Sequence, residues 1–365
     1  MNARDGFRSA IETMQQSARL MGFLPGSGLF CDWAELDGKF EAFRLFQYPG
    51  RELGLDVAAA QLEEVVRRAL KLEEFRAIWI LEGVGHTKAL AAGLSVTGLL
   101  CTGDAALLPE RAMIPLHAGM GTAFGEKLLA ALGANPSLAE VRQTVDRFRH
   151  LCRANCRAGW EDACMEPLGL VVRCLYPHLL EPVSAAMETL DPPVRGLFWH
   201  GVGRSLYFVP SNFLPIPGAG ARMVRSATLE TGRLEDRRNV LAGLIWAVTL
   251  VNLRRPSVIQ ALLSAGAELR IEPEFTNGVA SALLAWHHMA PGDLRYLTPY
   301  TRPLLPGAPA ARQWESWIET PAKFALDRIF AGLVLRNNIP ALYTFRTSDK
   351  LTELSKPDEA PQNDG

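Results

Sequence analysis

The chain has 365 residues, of which 48% are hydrophobic, and it carries 38 basic and 39 acidic side chains. A chain of this length and composition can bury a sizeable core, either as two domains or as one large repetitive domain. The formal charge of -1 lacks the basic excess that is typical of nucleic-acid-binding proteins. We therefore expect no nucleic-acid partner.

The N-terminal sequence contains no apolar run long enough for the core of a signal peptide. Two strongly apolar uncharged stretches, 89–103 and 239–253, have 15 residues each, whereas a helix needs roughly 20 to span a bilayer. We interpret both stretches as buried helices, with an interfacial membrane segment as the alternative. The sequence thus predicts a cytoplasmic protein without a membrane span.

The six cysteines favour buried, reduced thiols over disulfides, because the chain is long and shows no secretion signal. Cys152 and Cys156 are four residues apart and would share one face of a helix, but they lack the CxxC spacing of zinc and iron–sulfur sites. The full set is Cys31, Cys101, Cys152, Cys156, Cys164 and Cys174.

Helical patterns occur along most of the chain. We predict helices over 56–70 after an Asp56 N-cap, over 137–156 with a Ser/Glu capping box, and over 256–266 between a proline and a glycine. The Asn-Gly pair at 277–278 lies inside a helical pattern, and we find no convincing alternating strands. The sequence therefore predicts an all-α fold.

Two segments are variants of one pattern, "FRAIWILEGVGHTKAL" at 75–90 and "VRGLFWHGVGRSLYF" at 194–208. Weaker copies lie between and after them, and one glycine in each copy can be taken as an anchor. Steps of 36, 40, 42, 42 and 35 residues separate the anchors Gly83, Gly119, Gly159, Gly201, Gly243 and Gly278. These steps match the length of a helical hairpin and predict a helical-repeat protein, TPR-like or toroid-like, in a single globular unit.

The repeats divide the chain into two related triplets of hairpins, and the paired prolines at 192–193 mark the join. We predict an N-terminal arm with helices, a first triplet, a second triplet, C-terminal capping helices and a disordered polar tail. The corresponding ranges are 1–72, 73–190, 194–302, 312–345 and 346–365.

Glycine inside a helix costs roughly 1 kcal/mol relative to alanine, so its repeated use needs a reason. A Gly-x-Gly pair without side chains lets another backbone approach closely, and tight helix packing is by itself a sufficient explanation. The residues predicted to pack in this way are Gly83, Gly85, Gly119, Gly121, Gly201 and Gly203.

The glycine segments resemble a known bacterial family. "HGVGRSLYFV" at 200–209 is similar to a Gly-x-Gly-Arg-Ser-Leu-aromatic-Phe-Val signature of the family called domain of unknown function 1702. "LEGVGH" at 81–86, "HAGMGTA" at 117–123 and "NGVASALLA" at 277–285 resemble its other motifs, so the likeness covers roughly residues 75 to 300. Members occur near secondary-metabolite genes, including enediyne-type polyketide clusters, which implies a metabolic context but no reaction or catalytic residue.

Polar residues flank the anchor glycines in otherwise apolar helices, where charged groups are costly unless they are paired. Positions three or four apart share a helix face, which groups Glu82 with His86 and His200 with Arg204. The candidate site residues are Glu82, His86, His117, Asp162, His200 and Arg204.

Three interpretations of this set stay open. The first is a transition-metal site in which Glu82, His86 and His200 are ligands. The second is a pocket in which Arg204 clamps an anionic or polar ligand. The third is a buried network that fixes how the two triplets dock. No phosphate-binding loop, HExxH motif or GxSxG elbow is present.

Two functions follow as hypotheses. The first is a helical-repeat protein that binds a small-molecule intermediate or a partner protein in secondary metabolism. The alternative is an enzyme with a buried Glu/His/Asp/Arg site that depends on a metal in one version; beyond that transition metal no cofactor is indicated.

Overall fold

The computed structural model describes residues 3–22, 30–189, 192–213, 218–305 and 310–356. Within these ranges the regular structure is entirely helical, which confirms the all-α prediction. None of the described helices is both long and apolar enough to cross a membrane. Cys31 lies outside the residues whose side chains are described.

The helices are numbered in chain order: α1 (Ala3–Gly22), α2 (Phe30–Gln47), α3 (Pro49–Leu53), α4 (Leu62–Ala69), α5 (Glu74–Ala92), α6 (Met113–Leu129), α7 (Leu138–Asn155), α8 (Glu161–Met165), α9 (Pro167–Leu175), α10 (Leu180–Met187), α11 (Pro192–Phe208), α12 (Ala219–Ala227), α13 (Leu234–Val251), α14 (Pro256–Leu269), α15 (Glu272–Met289), α16 (Ala311–Trp314), α17 (Thr320–Phe324), α18 (Phe330–Leu335) and α19 (Ser348–Ser355). Two π-helical segments, Glu315–Glu319 and Ala325–Ile329, join α16, α17 and α18 into one continuous rod.

Seven apolar helices form the centre of the molecule, and each packs on the next in chain order: α2, α5, α6, α9, α11, α13 and α15. The more amphipathic helices, such as α4, α7 and α12, pack outside them. The central helices α5, α6, α11, α13 and α15 are buried on most sides, which explains their apolar sequences. Polar side chains within them consequently face other helices rather than water.

Glycines set the spacing between these central helices. At each of the six glycines predicted to pack closely, an added Cβ would overlap a backbone carbonyl oxygen of a neighbouring helix. The contacts are often reciprocal. The carbonyl oxygen of Glu82 packs against Gly119 of α6, and the carbonyl oxygen of Leu116 packs against Gly85 of α5. A reciprocal pair of contacts also joins α11 to α13. Gly203 packs against the Val240 carbonyl oxygen, and Gly243 packs against the His200 carbonyl oxygen.

The choice of Gly159 as the third anchor is wrong. Gly159 lies in the turn between α7 and α8 with φ of 84°, and its neighbour is the side chain of Asn337. The glycine that packs on a neighbouring helix in this part of the chain is Gly169 of α9, which receives the carbonyl of Phe198. The steps between central glycines are therefore less regular than the sequence suggested, and the division into two related triplets stays a prediction.

Several predicted boundaries also move. Asp56 caps a turn by accepting a hydrogen bond from the Ala58 N–H, and the helix predicted over 56–70 begins at Leu62. The helix predicted to end at Gly266 continues to Leu269, where Arg270 terminates it in the left-handed conformation. The capping box that opens α7 is confirmed.

The prediction of a disordered tail over 346–365 is wrong for its first half. Thr347 caps α19, and Leu351 of this helix is buried against the rest of the protein. Leu354, one turn further along, also packs against the core, so this short helix is anchored by two leucines on one face. Residues 357–365 lie outside the described part of the chain.

The segment that follows α15, the last central helix, contacts the start of α5. Arg295, just after α15, donates a hydrogen bond of 2.8 Å to Glu74 at the start of α5. The hydroxyl of Tyr296 donates to Glu73 at 3.1 Å. The last central helix is therefore linked back to α5, the second of the seven.

The glycine contacts predict a strong sensitivity to one methyl group. Gly119→Ala places a Cβ on the Glu82 carbonyl, where rigid helix backbones have to separate, and we expect it to lower the free energy of unfolding by about 1–3 kcal/mol or more. Gly133→Ala is the control, because an added Cβ there meets nothing within 4 Å. Urea denaturation followed by circular dichroism measures both; equal midpoints for the two variants would contradict this role of Gly119.

Candidate functional site

A carboxylate, a guanidinium and an imidazole meet where α9 faces α11. Glu166 accepts hydrogen bonds from Nη1 of Arg204 at 2.6 Å and from Nδ1 of His200 at 2.8 Å. Nη2 of Arg204 then donates to Oε1 of Glu82 on α5 at 3.3 Å. The side chains of Glu166, His200 and Arg204 are almost completely buried, and we call these three residues with Glu82 the central cluster.

The electrostatics of the central cluster follow from burial and pairing. Burial by itself would raise the pKa of Glu166, but Arg204 and His200 outweigh it and hold this pKa below its ordinary value. Burial lowers the pKa of His200 despite the adjacent carboxylate, so the imidazole is neutral and donates its Nδ1 proton. Burial opposes charge on Arg204 as well, yet Glu166 and Glu82 raise its pKa above the ordinary value.

Glu82 differs from Glu166 in its environment. Burial raises the pKa of Glu82, and the attraction to Arg204 only partly offsets this effect. One carboxyl of the pair is thus held ionised by two donors, whereas burial favours the protonated form of the other. Such a division of roles between neighbouring carboxyls is common at functional sites.

Backbone packing positions the central cluster. Three residues of the central cluster have a carbonyl oxygen that packs against a glycine of a neighbouring helix. The pairs are Glu82 with Gly119, Glu166 with Gly201, and His200 with Gly243. Because each contact fixes the backbone at the residue that bears the polar side chain, the side chains are held where the helices approach most closely.

A second polar group lies one helical turn away. Nε2 of His86 is 3.0 Å from Oε2 of Glu126, and Nδ1 of His86 is 3.5 Å from Nη2 of Arg4 on α1. Arg4 also lies 3.7 Å from Glu126 and 3.5 Å from the amide oxygen of Gln47. His86 therefore belongs to a group that ties α1 to α5 and α6, and Glu82 is not among its partners.

His117 and Asp162 lie outside both groups. Nδ1 of His117 donates to the Met113 carbonyl at 2.7 Å, and Nε2 accepts the Arg157 N–H at 3.1 Å. Burial lowers the pKa of His117 to about 4, so this neutral ring has a structural role. Asp162, selected by counting from Gly159, lies in the first turn of α8.

Glu82, His86 and His200 do not form a shared metal site. Their nearest polar partners are three different side chains: Arg204, Glu126 and Glu166. Across the described residues, no group of three or more histidine, cysteine or acidic side chains is arranged to hold a metal ion.

A cavity of about 90 Å³ connects the two polar groups. One buried water needs roughly 10–15 Å³ on the same measure, so the space can hold several waters or a small organic molecule. Its walls are mainly apolar and rich in aromatic rings, from Phe7, Phe43, Phe46, Trp79 and Phe208. Its polar lining comes from Arg4, Gln47, Glu82, Thr122, Glu126 and Arg204.

The cavity contains two of the six sequence candidates, Glu82 and Arg204, and combines them with residues that sequence reasoning missed. Glu166 was missed because the anchor was placed ten residues too early; a glutamate three residues before Gly169, in the apolar stretch "CMEPLGL", was the available signal. Arg4 and Phe7 carry no comparable signal, since they lie on an ordinary amphipathic helix far from the glycine segments.

Comparison with protein-family models, curated proteins and solved structures finds no match to this chain. The geometry of the cavity and the central cluster is therefore the basis for any functional statement.

The central cluster predicts an acid-sensitive fold. Glu166→Gln leaves buried Arg204 without its main counter-charge, and we expect a loss of about 3–5 kcal/mol of stability near neutral pH. Because the folded pKa of Glu166 lies below its ordinary value of 4.5, its contribution is present above that pH and is lost as the pH falls through the folded pKa. Urea denaturation from pH 7 to pH 3 measures both effects.

The matched control is Glu161→Gln on the adjacent helix α8, where the side chain is partly exposed, and it should change stability by less than about 0.5 kcal/mol. If Glu166→Gln were as stable as Glu161→Gln at neutral pH, the central cluster would not hold the helices together.

Proposed function

We propose that this chain binds a small, mostly apolar molecule in the cavity between α1, α2, α5, α6, α9 and α11. The observation that carries this proposal is the combination of aromatic walls with ionisable groups in one cavity, at Glu82 and Arg204 near one end and at Arg4 and Glu126 one helical turn away. Ligand sites commonly have this composition, with apolar surface for affinity and a few polar groups for orientation.

The cavity favours a small molecule over a protein partner, because its polar end is buried among helices where a folded domain has no access. A role in secondary metabolism rests on the resemblance of the Gly-x-Gly segments alone. That role, the family itself and a cytoplasmic location stay predictions.

Binding of small apolar probes tests the proposal. We expect indole and n-hexanol to raise the thermal midpoint progressively as their free concentration increases above the Kd, because a ligand that binds only the folded state stabilises it by mass action. Calorimetric titration gives the stoichiometry, for which we expect one molecule per chain.

Cys174→Phe should abolish this binding, since Cys174 lines the cavity and a phenyl ring would fill it. Cys101→Phe is the control, because Cys101 is also partly buried but lies apart from the cavity. Equal binding by both variants and the unmodified protein would place the probes elsewhere and contradict the proposal.

An enzyme that acts in the same cavity is the second candidate. It is favoured by Glu82, a carboxyl in an apolar cavity whose pKa is raised by burial, as expected of a general acid or base. In that case the Glu82→Gln variant would still bind the substrate but would no longer convert it to product. Recovery of a chemically unchanged ligand from the unmodified protein, checked by mass spectrometry, would contradict this candidate.

A further inference from the structure

Glu82 and Arg204 form the inner end of the cavity. Both terminal nitrogens of Arg204 already donate, one to Glu166 and one to Glu82. Within the described part of the chain, Oε2 of Glu82 accepts no hydrogen bond. A ligand that reaches this end therefore meets an available acceptor. Nε of Arg204 has no partner among the described residues either, so the net charge of this end, rather than its hydrogen-bonding capacity, decides which class of ligand fits.

The charges at the inner end of the cavity favour a cationic ligand. Glu82 and Glu166 together oppose the single charge of Arg204, and His200 adds none because it is neutral. A bound carboxylate would add a second uncompensated negative charge next to Glu82 in a buried site, which is costly. A bound cation would bring the sum of these charges to zero.

The other cation of the lining does not reverse this balance. Arg4 of α1 contacts His86, which follows Glu82 by one turn of α5. Glu126 lies 3.7 Å from Arg4 and pairs with its charge. The aromatic rings of the wall add a further preference, because the face of an aromatic ring attracts a cation. Phe43, Phe46 and Trp79 line the same cavity as the Glu82 carboxylate.

We propose that the ligand is an apolar organic amine that binds as its ammonium ion, with the nitrogen donating to Glu82 and the hydrocarbon part lying among the aromatic rings. This inference rests on the proposed function, since it names the chemical class of the molecule in that cavity. Burial raises the pKa of Glu82, whereas a bound ammonium ion favours the ionised carboxylate. Ligand binding therefore releases a proton from any Glu82 that is protonated.

Three probes of equal chain length separate the alternatives: n-hexylamine, n-hexanol and hexanoate. Calorimetric titration of the full chain should give at least about tenfold tighter binding for n-hexylamine than for either other probe, as expected for a charge-assisted hydrogen bond. The affinity for n-hexylamine should also decrease as the pH is lowered, because burial raises the pKa of Glu82 and protonation removes the negative charge that the ammonium ion would pair with.

Glu82→Gln should remove the preference for the amine and keep the binding of n-hexanol. Glu161→Gln is the control, because it removes a carboxylate that does not line the cavity and should retain the preference. If a preference for the amine survives in Glu82→Gln, or if hexanoate binds the unmodified protein as tightly as n-hexylamine, the amine assignment is wrong and the proposed function stands. If none of the three probes binds the unmodified protein, the proposed function itself fails.

Discussion

The contact between a glycine of one central helix and a backbone carbonyl of the next is the interaction on which the structure depends. It allows helices to approach more closely than any side chain would permit, and it brings Cα–H groups against carbonyl oxygens. The contacts recur from α2 to α15 and are reciprocal between α5 and α6, between α9 and α11, and between α11 and α13. Helix spacing and the burial of polar side chains therefore have a common cause.

Buried charge is tolerated at the centre because every charged group there has a partner of opposite sign. Glu166 is the essential element, since it joins Arg204 and His200 and lies between two helices whose backbones are in contact. Removing such a partner leaves an uncompensated charge, whereas the intact set is balanced by hydrogen bonds. Glu82 completes the pairing of Arg204 and also faces the cavity, so it links the structural network to the space in which a ligand would bind.

The N-terminal helix is part of the site rather than an arm beside it. Phe7 contributes an aromatic wall of the cavity, and Arg4 connects α1 to Glu126 and His86. A segment that looked peripheral in the sequence thus covers the centre of the protein. Three of the buried histidines of the central helices, His86, His117 and His200, contact different partners, so similar residues on similar helices have different roles.

The sequence by itself determined the helical class, the capping box of α7 and the polar residues that occur within apolar helices. These features depend on spacing along one chain segment, which a linear pattern contains. Only the tertiary structure decided that Glu166 rather than Asp162 joins His200 and Arg204, that Gly169 rather than Gly159 meets a neighbouring helix, and that α1 closes the cavity. A helical pattern specifies which face is buried, but the partner of that face depends on loop lengths and on packing between helices distant in the chain. One irregular step in the repeat was therefore enough to misplace a carboxylate, and the cavity came from six helices that no local pattern connects.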